Sequence, residues 1–237
     1  MLARSKHWAG FSFRGQRSQQ DDRFVPQEDW RGPGTLLGVV ADGHGADGDR
    51  AAEYASRRLP VLLRVPKYDT DPLETVTEAF RIIDQEIKRT WRGGTTLVMV
   101  DLSPDRMVVA HVGDAAASLV STRRVVELTC DHHSSAGRLT RALGNRGADH
   151  VLPDPDVRVI SHHLGCRWVL MGSDELWRAL NDRLIQSSVL AGLLDKPTIL
   201  EARNALQALL EDDHQTENVT ALLLDVSLLN AFRGSTA

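Results

Sequence analysis

Three apolar runs in this chain end on an aspartate, and a fourth starts beside a glutamate. "GVVAD" ends at Asp42, "VVAHVGD" at Asp114 and "WVLMGSD" at Asp174, while "NVTALLLDV" begins just after Glu217. A carboxylate at the edge of a core is costly unless it is solvated, paired or bound to a cation, and a cluster of them repels itself. Hard divalent cations such as Mg²⁺ or Mn²⁺ resolve that repulsion, because they prefer carboxylate, carbonyl and water oxygens. Any one of these aspartates alone reads as a solvated turn; the set points to a metal centre.

Two other metal readings fit less well. Glu53 stands twelfth from Asp42, the length of a calcium loop, but His44 and Ala46 fill ligand positions and Asp47 stands where that loop needs glycine. "CDHH" (130–133) and "HHLGC" (162–166) suggest zinc, yet no C-x2-C spacing accompanies them, so they read as strand and turn residues.

The elements that must position these residues are strands with helices inserted. Residues 71–91 carry Leu73, Val76, Phe80, Ile83, Ile87 and Trp91 at three- and four-residue steps, the pattern of one helix face. Residues 47–64 do the same with Ala51, Ala52, Ala55, Leu59, Leu62 and Leu63, and residues 198–211 with Ile199, Ala202, Leu206, Leu209 and Leu210. Between them lie "TLLGVVAD", "TTLVMVDL", "RMVVAHVGD", "AASLVST", "RRVVELT", "VRVISHHL", "RWVLMGSD" and "NVTALLLDV", all strand-like. "DLSPDR" has the Pro and Asp of a hairpin turn, so neighbouring strands are expected to be antiparallel. The expectation is an α+β fold with helices outside antiparallel sheets, in a single domain over 1–237.

Composition excludes some partners. The 237 residues are 42% hydrophobic and 25% charged, enough for a sizeable core. A formal charge of -4 with scattered Lys and Arg gives no basic stripe for nucleic acid. Cys130 and Cys166 make no disulfide framework, and the opening "MLARSKHWAGFSFRG" lacks the apolar segment of a secretory signal. "TALLLDVSLL" is broken by Asp225 and too short to span a bilayer. A cytoplasmic monomer with neither membrane nor nucleic-acid partner is expected.

Eight blocks in order carry a resemblance: "RSQQDDRF" (17–24), "VVADGHGA" (39–46), "GGTTLVMV" (93–100), "VVAHVGDAAASLV" (108–120), "ELTCDHH" (127–133), "LTRALGN" (139–145), "VLMGSDELW" (169–177) and "TENVTALLLDV" (216–226). Together they resemble the metal-dependent type 2C family of protein serine/threonine phosphatases. The resemblance implies a four-layer αββα sandwich with metals at one end, a phosphorylated protein substrate and a cognate Ser/Thr kinase as partner. It implies hydrolysis of phosphoserine and phosphothreonine by a water activated between two Mn²⁺ or Mg²⁺ ions, with a weaker third ion.

By the same resemblance, Asp42 bridges the two ions and the Gly43 carbonyl binds one. Asp174 and Glu217 complete the first ion's ligands, Asp21 with Asp22 beside it holds the second ion's waters, and Asp114 serves the third. Arg17 takes the phosphate-binding position, which suits a planar fork of donors. His44 takes the position of the acid that protonates the leaving alkoxide. Neither cysteine sits in a phosphate-cradling loop, so no covalent phosphoenzyme is implied.

Some residues depart from the family pattern. The usual "SDG" is "SDE", which places Glu175 beside a metal ligand; the usual "DN" is "EN" at Glu217; and "NED" reads "QDD". The flap (131–138) is short, with only Ser134 to Arg138 between two of the blocks. These departures keep open an alternative, a pseudophosphatase that binds metal and a phosphoprotein or kinase without turnover.

Overall fold

The computed structural model describes residues 2–145, 151–160, 166–182, 187–211 and 216–226. The chain opens with β1 (Leu2–Arg4), β2 (Trp8–Phe13), β3 (Arg23–Glu28) and β4 (Leu36–Gly45). Three helices follow, α1 (Gly48–Leu62), α2 (Lys67–Thr70) and α3 (Pro72–Thr90). Then come β5 (Gly93–Leu102), β6 (Met107–Val112), β7 (Ala116–Ser121), β8 (Val125–Glu127), β9 (Asp156–Ile160) and β10 (Cys166–Gly172). The last elements are α4 (Asp174–Asp182), α5 (Ser187–Leu194), α6 (Ile199–Leu210) and β11 (Val219–Asp225). The expected strand at "VRVISHHL" is β9; its residues 161–164 lie outside the described residues.

Two antiparallel sheets form, in the orders β1-β2-β11-β10-β7-β8 and β3-β4-β5-β6-β9. "DLSPDR" makes the hairpin expected of it, with Leu102 paired to Met107. The central strands are apolar over most of their length because both of their faces are covered. In β4, Leu37, Val39 and Ala41 pack with α1 and α3, whereas Leu36 and Val40 pack with Val169, Met171, Leu222 and Leu224 of the other sheet. On that sheet's far side, Phe11, Leu170 and Leu223 pack with Leu176, Leu190, Ala202 and Leu206 of the later helices. The layers are therefore helix, sheet, sheet, helix. Gly38 packs tightly against the other sheet: a Cβ there would stand 2.8 Å from Leu224 Cδ1 and 2.9 Å from Met171 Sδ.

Local signals set the helix limits. Asp71 caps α3 by accepting the Glu74 amide at 3.0 Å, and Pro72 at the first turn needs no donor. Thr198 and Glu201 form a reciprocal capping box on α6. The expected face of α3 is buried at Val76, Phe80, Ile83 and Ile87, but Leu73 is 50% exposed. It sits in the first turn of α3, and Trp91 is the extended residue that ends the helix.

Candidate metal centre

One end of the sandwich gathers the carboxylates around a cavity of about 490 Å³. Asp21, Asp22, Asp42, Asp114, Asp174 and Glu217 all line it, as do Arg17, Gly43 and His44. Every residue that the resemblance assigns to the ions, the phosphate or the leaving-group proton thus lines one cavity. Arg178, Thr96, Leu139 and Asn218 also line the cavity and were not anticipated.

The positioning differs from the expectation in one respect. Asp42 does not end its strand: β4 stays paired with β5 from Asp42↔Thr96 to Gly45↔Gly93. The three residues beyond Asp42 remain in the ladder because Gly93 and Gly94 let the chains approach there; a Cβ on Gly93 would stand 2.7 Å from the His44 carbonyl. Gly43 has its own steric reason. A Cβ at Gly43 would lie 2.2 Å from the Gly48 carbonyl oxygen, so the first turn of α1 requires glycine there. Asp114 follows β6 through Gly113 at φ 95°, and Asp174 opens α4 directly after β10.

Asn218 joins the two remaining pieces. Its Oδ1 accepts the Asp21 amide at 2.7 Å, and its Nδ2 donates to the carbonyls of Arg14 at 2.8 Å and Gln19 at 3.1 Å. One side chain therefore ties the loop bearing Arg17, Asp21 and Asp22 to the start of β11 beside Glu217.

The electrostatics fit a site built for cations. Neither oxygen of the buried Asp22 carboxylate has a hydrogen bond. Burial pushes its carboxyl up to about 6, and the nearby hydroxyls of Ser173 and Thr220 offset only part of that. Asp42 is raised well above the usual carboxylate range, first by burial and then by Asp22, Asp174 and Asp114. Asp114 is pushed up to about 6 by burial and Asp174, and Asp21 is raised by burial and Asp49. Buried carboxylates crowding one another, with Asp22 lacking any donor, fit hard divalent cations, which supply the missing positive charge. Asp21, Asp22, Asp42, Asp114, Asp174, Glu217 and the Gly43 carbonyl are the oxygens available to hold them.

Two groups can act on an anionic substrate. Arg17 is half exposed and forms an ion pair with Glu217. The His44 Nε2 stands 2.8 Å from Asn145 Oδ1, and burial lowers the His44 pKa against the opposing effect of that bond. Asn145 is held because the strand-like pair Thr95 and Leu143 exchanges both backbone bonds at 2.9 Å.

A separate group, His111, His132 and Asp156, places its ligand-type atoms within 4.8 Å of one another. "CDHH" thus contributes His132 to a cluster, with partners that its sequence neighbourhood does not hold. Its bonds mark it as structural. His132 Nδ1 accepts the Gly113 amide at 3.1 Å, and Arg141 lies 2.6 Å from Asp156 and 3.3 Å from His132 Nε2. A guanidinium already stands where a cation would. The His111 ring stacks on His132 at 4.4 Å and bonds the Cys130 carbonyl at 2.8 Å. "HHLGC" falls largely outside the described residues.

Comparison with known proteins agrees with this architecture. Residues 10–138 match the family model described as Protein phosphatase 2C. "Probable protein phosphatase 2C 69" of Arabidopsis thaliana is 28% identical over 197 residues, 69% of this chain and 55% of the relative. The human "Probable protein phosphatase 1N" is 28% identical over 203 residues, 68% of this chain and 46% of the relative. The chain spans about half the length of these curated relatives. Among solved structures, the serine/threonine phosphatase Stp1 from Staphylococcus aureus superposes with a TM-score of 0.75 at 20% identity, covering 94% of this chain and 96% of that one. A bacterial serine phosphatase gives a TM-score of 0.78 at 20% identity, covering 94% and 98%. At such identities the structural likeness is one of fold. The family itself rests on the sequence match, which takes in more than half of the residues, and by it this chain belongs to the protein phosphatase 2C family.

Proposed function

We propose that this chain is a metal-dependent protein serine/threonine phosphatase, with 1–237 as one catalytic domain and 131–138 as its short flap. The observation that carries the reading is the convergence of six carboxylates with Arg17 and His44 on one cavity. In this reading Asp42, the Gly43 carbonyl, Asp174 and Glu217 would hold the first of two Mn²⁺ or Mg²⁺ ions, Asp42 with Asp21 and Asp22 would serve the second, and Asp114 would be the ligand of any third. When bound, such a pair of cations supplies an acidified water and neutralises phosphoryl oxygens.

The chain's own groups do the rest. Arg17 orients the phosphoryl group through its planar donors, exchanging Glu217 for substrate oxygens. His44, aimed by Asn145, holds a proton for the departing serine or threonine oxygen, an alkoxide too basic to leave unprotonated. No nucleophilic side chain takes part, because the attacking group is water. The reading extends to a phosphorylated protein substrate, a cognate kinase as functional partner, and a cytoplasmic monomer.

The test is hydrolysis of p-nitrophenyl phosphate and a phosphothreonine peptide with and without Mn²⁺, with Asp42→Asn as control. Metal-dependent turnover that disappears in the control is expected. Mn²⁺ binding seen as a rise in thermal stability, with no turnover of either substrate, would overturn catalysis in favour of a recognition module.

A further inference from the structure

Glu175 places a negative side chain directly after Asp174, and the structure shows where that charge goes. Glu175 is 8% exposed, and its Oε2 accepts from Arg178 one turn later in α4, through Nε at 2.6 Å and also through Nη2. Arg178 is itself half exposed and lines the same cavity as Asp42, Asp114, Asp174 and Glu217. Among the described residues only Glu175 bonds Arg178. A guanidinium has five N–H donors in a fixed fork, so most of them remain for the cavity. The acidic residue that departs from the family pattern thus holds a positive one over the carboxylates, within electrostatic reach of Asp174 and Glu217.

A second, independent contact closes the position next to it. His133 Nε2 lies 3.0 Å from Asp114 Oδ2. His133 is placed there by its neighbour: the His132 amide donates to the Gly113 carbonyl at 3.1 Å, and the Gly113 amide donates to His132 Nδ1 at 3.1 Å. The network of His111, Asp156 and Arg141 then fixes His132 from behind. The short flap is therefore zipped to the residue before Asp114, and it delivers a donor to that carboxylate.

We propose that Arg178, held by Glu175, is a phosphate-binding residue of this site, and that the His133 contact with Asp114 Oδ2, with the Arg178 guanidinium in the same cavity, takes the place of a third ion at Asp114. The centre then works with two ions, and the substrate phosphoryl group meets two guanidinium groups, Arg17 and Arg178. This rests on the phosphatase reading for its substrate, but its charge arrangement can be tested without turnover.

Removing Arg178 alone would strand the buried Glu175 carboxylate, so the paired variant Glu175→Gln/Arg178→Ala accompanies Arg178→Ala. The first measurement is calorimetric titration of the whole chain with Mn²⁺. Wild type is expected to bind two ions, and His133→Ala combined with Glu175→Gln/Arg178→Ala to gain a weaker third that is lost again on adding Asp114→Ala. The second is binding of inorganic phosphate to the Mn²⁺-loaded chain, read by calorimetry. Both Arg178→Ala forms are expected to bind it about tenfold more weakly, the loss of one charge-assisted contact, with Arg178→Lys restoring part of it. With a phosphothreonine peptide the same loss should fall mainly on KM rather than kcat. A third Mn²⁺ ion in wild type that depends on Asp114, or phosphate binding unchanged in both Arg178→Ala forms, overturns the proposal. A wild-type chain that binds two Mn²⁺ ions and phosphate but hydrolyses nothing sinks the phosphatase reading and leaves this one standing.

Discussion

His44 and Asn145 are joined by a 2.8 Å hydrogen bond across 101 residues of sequence, from His44 Nε2 to the Asn145 side-chain oxygen. With that oxygen accepting, one proton sits on Nε2 and the ring is fixed in orientation at the cavity wall, which leaves Nδ1 to carry the proton given to the leaving oxygen. A proton donor matters in proportion to the basicity of the leaving group. Asn145→Ala is therefore expected to lower kcat on a phosphothreonine peptide about tenfold, and His44→Gln by about 10²–10⁴-fold, the usual range for a lost acid. On p-nitrophenyl phosphate, whose nitrophenolate leaves without help, both variants should stay close to wild type. Equal losses on both substrates would show that His44 does something other than donate a proton.

Gly94 makes room for that pair. A Cβ on Gly94 would stand 2.5 Å from the Leu143 carbonyl, 2.7 Å from His44 Nε2 and 3.1 Å from Asn145 Oδ1. Gly94→Ala is expected to cost about 1–3 kcal/mol of stability, as overpacking does, and to reproduce the substrate-dependent loss of Asn145→Ala. Urea unfolding and the two-substrate comparison check it. A fully stable and fully active variant would mean that the His44 ring is free to move.

How much of this the sequence discloses depends on the distance over which a contact acts. Strands β4 and β5 are legible because burial on both faces leaves an unbroken apolar run in each, Leu36 to Ala41 and Leu97 to Val100, and helices α1, α3 and α6 because one face repeats. By contrast, β2 and β3 carry mixed residues that read as neither period, and α4 is hidden because "SDELW" reads as the end of a strand. The carboxylates announce themselves by type and place. Yet Asp101 in "TTLVMVDL" has the same appearance and a structural role: at the other end of the sandwich it is fully buried, accepting from Trp30 at 2.8 Å, Tyr68 at 2.9 Å and Arg31 at 3.1 Å. Arg178 carries no signal that separates it from a surface polar residue, and Asn145, Asn218 and His133 stand inside the resembling blocks without a role that their neighbours in sequence disclose. The partners of Asn145 and Asn218 lie about a hundred or more positions away.

The crowded carboxylates set a pH dependence for the metal-free chain. Asp22 and Asp114 go from 3.8 to about 6 on folding, and Asp42 rises further in the same direction. A folded state that binds protons more tightly than the unfolded one gains stability below the unfolded pKa and loses it as pH rises through the folded value. Stability from these groups should therefore fall as pH rises from about 4 to about 6, by on the order of 2–3 kcal/mol for Asp22. His44, His111 and His132 act in the opposite sense, since burial lowers their pKa values and the unfolded chain takes up the proton first as pH falls below 6.5. Comparing wild type with Asp22→Asn at each pH isolates the carboxylate. Without metal, Asp22→Asn should be the more stable protein at neutral pH, with a flatter profile and weaker Mn²⁺ stabilisation. Identical melting profiles for the two would show that Asp22 is not a strained, ion-binding carboxylate.

Asp174 and Glu217 separate charge from reach in the metal ligands. Asp174 is fixed at the first residue of α4, and Asn at that position keeps the shape while removing the anion. Loss of an anionic ligand weakens a hard cation's hold, so Asp174→Asn is expected to abolish metal-dependent turnover and lower Mn²⁺ affinity at least about tenfold, as calorimetry would read it. Glu217 differs because its carboxylate is one methylene longer than the family's aspartate and stands on a segment stapled by Asn218. It also holds Arg17. Glu217→Asp keeps the charge but draws it back from Arg17, so turnover should be kept and Mn²⁺ affinity kept or raised, with Arg17 freer to meet phosphate. If Glu217→Asp instead loses as much activity as Asp174→Asn, the longer side chain is the one this centre is shaped around.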